Sequence, residues 1–291
     1  MKHVVSVPNR PIVSNDGRLE VHQVLSWEDN LIWLLVDSKT REAAVVDGPE
    51  AQGVLDYCAS NDLSLTTIFN THTHGDHIGI NRDLQARGML SDLRVVGSEA
   101  RKNDIPGVNE LVSDGTKVSF GSCEGVALLT EGHIDGHISY LFQEFLFSGD
   151  TLFAGGCGYL FDGPASKMHD SLSRLSRLPK DTLVFCAHEY TEDNLKFAWS
   201  LEPNNRELRA RIEDVLTQRQ SGGSTVPSTI GDELNTNPFL RVHNEELRAK
   251  ILEFAPETDM SIDSEVFAAT RALKDSKRYR ETLPVPLPTI S

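Results

Sequence analysis

The sequence Thr71-His72-Thr73-His74-Gly75-Asp76-His77 follows a short apolar run at residues 66–69 that predicts a buried strand. Four potential metal ligands, three imidazoles and one carboxylate, therefore lie within six residues at a strand end. Imidazole nitrogen and carboxylate oxygen suit first-row metal ions. Side chains two residues apart in an extended segment share a face, so an H-x-H-x-D-H pattern can supply ligands to two neighbouring ions. Chance histidines in a polar loop would not concentrate donors in this way.

The surrounding chain predicts an α/β fold. Apolar runs typical of strands alternate with turn residues up to about residue 188, at residues 31–36, 43–46, 93–96, 126–129, 145–147 and 182–185. Between them, Val54 and Cys58, then Met168 and Leu172, have the spacing of amphipathic helices. After about residue 190 helical spacing dominates. We therefore expect an α/β domain over residues 1–188 and an α-helical domain over residues 189–291.

Three further donors follow predicted strands. His133 comes after the run at 126–129, Asp150 after that at 145–147, and His188 after that at 182–185. Functional groups gather where rigid strands meet loops. We expect these three side chains to join the donors at residues 72–77.

Composition limits the partners of this chain. Its 291 residues include 28 Lys and Arg against 43 Asp and Glu, a formal net charge of −15. Nucleic acid and anionic membranes attract basic surfaces, so neither is an expected partner. No apolar stretch reaches the length of a membrane helix, and the four cysteines lack paired spacing. We expect a cytoplasmic monomer with free thiols.

Beyond these donors, several motifs carry a resemblance to a known family. They are Ser148-Gly149-Asp150-Thr151-Leu152-Phe153, Gly155-Gly156-Cys157-Gly158, His188-Glu189-Tyr190-Thr191, Asn194-Leu195-Lys196-Phe197, Val226-Pro227-Ser228-Thr229 and Asn237-Pro238-Phe239-Leu240-Arg241. With the H-x-H-x-D-H run, the chain resembles the metallo-β-lactamase-fold hydrolases, and specifically glyoxalase II, the hydroxyacylglutathione hydrolases. The resemblance implies an αββα sandwich with a C-terminal α-helical domain. Roughly the first 17 residues look like an addition to the usual start of the family.

The resemblance also implies a metal centre and a reaction. Two divalent ions are expected, with zinc favoured and iron or manganese as alternatives; the implied ligands are His72, His74 and His133 for the first, Asp76, His77 and His188 for the second, and Asp150 for both. The implied reaction is hydrolysis of S-(2-hydroxyacyl)glutathione thioesters such as S-lactoylglutathione, the second step of methylglyoxal detoxification. A hydroxide shared by the ions would attack the thioester, with Asp76 orienting it. His137 is expected to orient a ligand or fix a turn.

The same resemblance assigns a pocket for the anionic thioester substrate. Tyr190 and Asn194 match positions that contact the peptide backbone of glutathione, and Arg271 and Lys274 match the R-x-x-K-D run that grips its glycine carboxylate. Lys277, Arg278 and Arg280 extend this basic cluster. After Gly158 the family usually has Lys or Arg and then an aromatic residue two positions later. Here Phe161 retains the aromatic residue, but Tyr159 removes a cation, so we expect weakened or altered thiol binding.

Other members of the fold remain alternatives. A persulfide dioxygenase shares the H-x-H-x-D-H run but uses one iron and is shorter, and the chain's C-terminal helices speak against it. A lactonase or β-lactamase would lack the region at residues 237–241 and the basic cluster. A metal-binding scaffold without turnover would be favoured by an incomplete ligand set, but all seven implied ligands are present.

Overall fold

The computed structural model describes residues 2–281 and 286–289. The strands of this part are β1 (Ile12–Val13), β2 (Leu19–Ser26), β3 (Asn30–Asp37), β4 (Glu42–Val46), β5 (Ser64–Phe69), β6 (Arg94–Ser98), β7 (Glu110–Val112), β8 (Lys117–Phe120), β9 (Cys123–Leu129), β10 (Ile138–Phe142), β11 (Phe145–Gly149), β12 (Leu152–Phe153), β13 (Gly156–Cys157), β14 (Leu183–Cys186) and β15 (Ser228–Thr229). The helices are α1 (Gln52–Ser60), α2 (Gly75–Ala86), α3 (Ala165–Leu175), α4 (Thr191–Leu201), α5 (Arg206–Gln220), α6 (Ile230–Thr236), α7 (Glu245–Phe254) and α8 (Asp263–Asp275).

The first sheet has seven strands in the chain order β1 to β7. Its first four strands are antiparallel neighbours, and β4 to β7 are joined in parallel. Strand β3 is buried along its whole length. Its alternate residues, such as Trp33 and Leu34, pack into different apolar clusters on the two faces. This explains why β3 reads as a continuous apolar run rather than an alternating one.

The second sheet has the order β15-β14-β11-β10-β9-β8, and β11 and β14 are parallel. The strand β15 comes from the largely helical C-terminal part and pairs with β14. The C-terminal part is therefore joined to this sheet by main-chain hydrogen bonds as well as by packing.

Three apolar clusters separate four layers. One lies between the two sheets and includes Trp33, Phe69 and Phe147. A second joins α1 and α2 to the outer face of the first sheet, and a third joins α3, α4, α7 and α8 to the outer face of the second. The order helix, sheet, sheet, helix confirms the predicted αββα sandwich with C-terminal helices. The division at residues 188 and 189 stays a prediction.

No helix in the described part of the chain has both the length and the apolar character needed to cross a bilayer. The cysteines Cys58, Cys123, Cys157 and Cys186 are all buried and free.

Candidate active site

The H-x-H-x-D-H segment changes direction where β5 gives way to α2. His72 follows the strand, and His74 is the extended residue that caps the helix. Asp76 and His77 lie in the first turn of α2, a helix that the sequence did not predict. The extended half and the helical half therefore aim their donors in different directions.

The first donor group contains three imidazoles. His72 Nε2 lies 3.1 Å from His74 Nδ1, and His133 Nε2 lies 3.0 Å from the same atom. His72 and His133 are buried, whereas His74 is half-buried. These three ring nitrogens converge on one point from the ends of β5 and β9.

The second donor group contains Asp76, His77 and His188. Asp76 Oδ2 lies 3.4 Å from Nε2 of both histidines. Asp150 joins the two groups: its Oδ1 lies 3.5 Å from Nε2 of both His77 and His188, and its Oδ2 lies 3.5 Å from His133 Nε2. The structure thus brings together all seven residues implied as ligands.

These separations fit metal ions of the first row. Two donor atoms that each lie about 2.1 Å from a tetrahedral ion are about 3.4 Å apart. The buried atoms His77 Nε2 and Asp150 Oδ1 have no hydrogen-bond partner among the described residues, and both face this space. A buried polar atom without a partner is unfavourable unless something else satisfies it. The donor set and the two orphaned atoms therefore fit divalent cations.

The opposite nitrogens of two of the donor imidazoles, His77 and His188, are held by partners that the sequence analysis missed. Asp47 accepts from His77 Nδ1 at 2.9 Å and from the Thr71 main chain at 2.8 Å. Asp29 lies 2.8 Å from His188 Nδ1. Such contacts fix ring orientation and tautomer. Their only sequence signal is an acidic residue at a strand end or turn, which is common elsewhere.

His137 is fully buried behind the site rather than in a donor group. Its Nε2 accepts a hydrogen bond of 3.2 Å from the Asp150 main-chain N–H. This contact holds the main chain at Asp150, and the expectation that His137 orients a ligand or fixes the turn stays a prediction. The preceding residue, Gly149, has φ of +50°, and a Cβ there would lie 2.7 Å from His137 Nε2. Only glycine allows this close approach without displacing its neighbours.

Electrostatics differ between the two donor groups. Burial, aided by His77, holds the pKa of His72 well below its usual value. Burial opposes charge on His77 and His188 too, but nearby carboxylates, Asp150 first, outweigh it and raise both pKa values, that of His188 to about 9. Burial also opposes ionisation of Asp76, yet the imidazoles of His188 and His77, each 3.4 Å from its Oδ2, hold its pKa well below the usual range. The second group therefore stabilises positive charge, as a cation site should.

A pocket of about 430 Å³ lies beside the donor groups. It is lined by most of the predicted substrate residues, namely Tyr159, Tyr190, Asn194, Arg271 and Lys274. Tyr190 connects the pocket to the second donor group, because its ring stacks on that of His188 with the ring centres 4.8 Å apart. Phe161 is not part of this wall; it is 60% exposed, and its ring lies 5.0 Å from that of His74. Another cavity, of about 700 Å³ between residues 9–12 and α5, contains none of the predicted site residues.

The two predicted anchors already have partners within the protein. Arg271 donates to Asp275 Oδ1 at 2.6 Å and to the Cys157 carbonyl at 3.1 Å. Lys274 Nζ donates to Asn194 Oδ1 at 2.7 Å. Asn194 also donates to the Ala154 carbonyl at 3.0 Å, so both ends of its amide are engaged. Asn194 therefore supports Lys274 through its oxygen and uses one of its two amide N–H groups within the protein.

The remaining pocket cations differ in exposure and pairing. Burial lowers the pKa of Lys274 from 10.5 to about 8, despite the opposing effect of Asp193. Arg280 pairs with Asp193 at 2.9 Å. Lys277 is exposed in the left-handed conformation just after α8, and its ammonium has no ion pair or side-chain hydrogen bond within residues 2–281 and 286–289. It is thus the pocket cation most available to a bound anion.

Comparison with known families agrees with this geometry. The profile of the metallo-beta-lactamase superfamily matches residues 33–188, and that of the hydroxyacylglutathione hydrolase C-terminus matches residues 189–277. The fold and donor arrangement thus define a member of the metallo-β-lactamase superfamily. A hydroxyacylglutathione hydrolase of Synechocystis sp. is 41% identical over 265 residues, covering 89% of this chain and 100% of the relative. One from Synechococcus sp. (strain JA-3-3Ab) is 45% identical over 259 residues, covering 88% and 99%. The chain belongs to the hydroxyacylglutathione hydrolase family.

A solved structure has a similar fold. The crystal structure of ETHE1 from Myxococcus xanthus has a TM-score of 0.56 and 27% identity, covering 87% of this chain and 98% of that one. The relatives with 41–45% identity favour the hydroxyacylglutathione hydrolases over the persulfide dioxygenase and lactonase alternatives.

Proposed function

We propose that this protein hydrolyses S-(2-hydroxyacyl)glutathione thioesters, such as S-lactoylglutathione, to the 2-hydroxy acid and free thiol. The proposal rests on one observation above all: two metal-compatible donor groups, joined by Asp150, lie beside a pocket lined by cations. The names of the relatives supply the substrate class.

We assign His72, His74 and His133 to the first of two divalent ions, Asp76, His77 and His188 to the second, and Asp150 to both. Zinc is our first choice because nitrogen and carboxylate donors at these spacings suit it, and iron and manganese suit them as well. When bound, the ions supply Lewis acidity, which lowers the pKa of water toward about 7 and polarises a carbonyl.

Asp76 has the geometry to orient the attacking water. Its Oδ2 faces His77 and His188 and accepts from Asn30 Nδ2 at 3.2 Å, whereas its Oδ1 has no partner among the described residues. With its pKa held low, Asp76 is ionised and accepts hydrogen bonds through Oδ1. The leaving thiol has an ordinary pKa of about 8.5, so it departs as a thiolate with little need of an acid.

The pocket supplies recognition of the thiol. Lys277, whose ammonium has no ion pair within the described part of the chain, offers its charge to the carboxylates of glutathione. Arg271 and Lys274 contribute positive potential from buried positions where they already have partners. Tyr159 and Phe161 have neighbouring rings, 4.9 Å apart, and are 52% and 60% exposed. They present an apolar edge where many relatives of this family are expected to carry a cation. Binding of the thiol therefore depends on fewer direct ion pairs.

The test combines metal analysis of the purified protein with hydrolysis of lactoyl thioesters of glutathione and of thiols with fewer carboxylates. We expect two ions per chain and fastest turnover with the glutathione ester. An Asp76→Asn variant should lose most turnover, and full turnover with two ions would contradict its role. Failure to hydrolyse any thioester in the panel would refute the proposed function.

We also propose that the protein acts as a cytoplasmic monomer. The buried free thiols are compatible with a reducing compartment. Sedimentation analysis and cell fractionation would test these two points.

A further inference from the structure

The N-terminal segment, residues 2–9, contacts two parts of the fold. One is the turn at residues 27–30, which joins β2 to β3 and includes the first residue of β3, and the other is the end of α5 with the segment after it. The Synechocystis relative aligns over 100% of its own length but covers only 89% of this chain, so part of this chain has no counterpart there.

Two hydrogen bonds join the segment to the turn. The Val4 N–H donates to the Glu28 carbonyl at 2.7 Å. His3 Nδ1 accepts from the Val5 N–H at 2.9 Å, which leaves Nε2–H to donate to the Asn30 carbonyl at 3.1 Å. The imidazole thus connects the N-terminal segment to the turn, and these two contacts favour the tautomer that carries the proton on Nε2.

The other side of the segment is anchored firmly. Val5 is 2% exposed and packs in the cluster between the sheets. Arg219 Nη2 donates to the Val4 carbonyl at 2.7 Å, and the Ser6 N–H donates to the Gly222 carbonyl at 2.9 Å. These contacts fix the position of the segment, so that His3 can restrain the turn.

Two residues of this turn contact the second donor group. Asp29 Oδ1 lies 2.8 Å from His188 Nδ1, and Asn30 Nδ2 donates to Asp76 Oδ2 at 3.2 Å. In contrast, the described hydrogen bonds of His72 and His133 run to Thr71, His74 and Tyr159 and none runs to the segment or the turn. The connection from the N-terminal segment is specific to one donor group.

We propose that His3 is a positioning residue for the second metal site, acting through the main chain of Asn30 on Asp29, His188 and Asp76. The inference rests on the two-ion assignment made above but not on the identity of the thioester. Loosening the turn leaves His188 and Asp76 less restrained, so the second ion binds more weakly while the first is unaffected.

The test measures stepwise zinc affinity of the full-length, metal-depleted protein in competition with a chromophoric chelator. Asp29→Ala identifies the second-site step, which it should weaken about 10- to 100-fold. His3→Ala should weaken that same step about 2- to 10-fold, the factor that one hydrogen bond carries. His3→Gln, which keeps a donor near the position of Nε2, should recover most of the loss. Val7→Ala, on the same segment but 56% exposed, is the matched control and should bind as the parent does.

Several outcomes would overturn the inference. Equal weakening of both steps in His3→Ala would indicate a general structural effect, and an unchanged second step would remove His3 from the connection. A parent protein that binds a single ion would also refute it. Because thioester hydrolysis is measured separately, these results are distinguishable from failure of the proposed function. Thermal unfolding of each variant checks that it is folded at the temperature of the titration.

Discussion

Lys274→Met should stabilise the protein while weakening substrate binding. Lys274 is buried, and its ammonium lies 2.7 Å from Asn194 Oδ1 and 3.6 Å from Asp193 Oδ2. Burial lowers its pKa from 10.5 to about 8. Methionine retains an unbranched side chain that can pack against Phe197 and Tyr279, the rings beside the ammonium. The substitution therefore removes the charge with little change in volume.

The magnitude follows from the pKa. Lowering it from 10.5 to about 8 corresponds to about 3 kcal/mol by which folding disfavours the charged form. Removal of the ammonium leaves Asn194 Oδ1 without its donor, which costs about 1–2 kcal/mol. At pH 7 we expect the free energy of unfolding to rise by about 1–2 kcal/mol. Loss of the cation should raise the KM for S-lactoylglutathione severalfold.

The sign of the pH dependence is fixed by the direction of the shift. Below about pH 8 Lys274 is charged in both the folded and unfolded states, so its full destabilising contribution is present. Between about pH 8 and 10.5 the unfolded chain binds more protons than the folded chain, so the parent gains stability from this group as pH rises. The difference between Lys274→Met and the parent should therefore narrow across that window.

Urea unfolding of both proteins at pH 7, 9 and 10 checks this expectation. Lys277→Met is the matched control, because Lys277 is exposed and lies three residues away in the same pocket wall. Its stability should remain within about 0.5 kcal/mol of the parent at pH 7. A Lys274→Met protein that is less stable than the parent at pH 7, by an amount that does not vary with pH, would refute the reasoning.

Three further predictions concern the pocket, the metal centre and the core. Tyr159→Arg should lower the KM for S-lactoylglutathione about 2- to 5-fold by adding an exposed ion pair, with kcat unchanged, and steady-state kinetics that show no fall in KM would contradict it. Asp150→Ala should reduce bound metal to fewer than two ions per chain in elemental analysis, because its two oxygens face different donor groups; an unchanged metal content would argue against bridging. Arg211→Ala should lower the free energy of unfolding by about 3 kcal/mol in urea, since it leaves the fully buried Glu233 without its cation. Adding Glu233→Gln to that variant should recover part of the loss if the unpaired charge is the cause.

Local patterns predicted an α/β domain and donors gathered at strand ends, whereas the αββα sandwich and the division of the donors between two ions were implied by the resemblance to glyoxalase II. Strand β3 is apolar on both faces and lies between two clusters, so its sequence carries the signal of a central strand. The H-x-H-x-D-H donors are neighbours in sequence, and the three remaining donors each follow a strand. Helix α2 was not predicted because its first turn consists of Gly75, Asp76 and His77, which have low helix propensity.

The partners behind the ligands could not be predicted, because they are neighbours only in space. Asp29 reaches His188 across 159 positions of the chain, and Asp47 reaches His77 across 30. A single acidic residue in a turn carries no signal of such a contact. Only the packing of the two sheets brings β3 beside the end of β14, where Asn30 pairs with His188.

The partners of the basic residues at 271–280 also could not be predicted from the sequence. In sequence its cations are equivalent, and the R-x-x-K-D match alone selects Arg271 and Lys274 as anchors. In the fold, Arg271 is paired with Asp275 and Lys274 with Asn194, so much of their charge is already stabilised within the protein. A bound carboxylate is stabilised most by a cation that has no other anionic partner. Among the described residues that line the pocket, Lys277 is such a cation. Which charge binds substrate is therefore decided by pairing, a property of the fold that the spacing of basic residues does not contain.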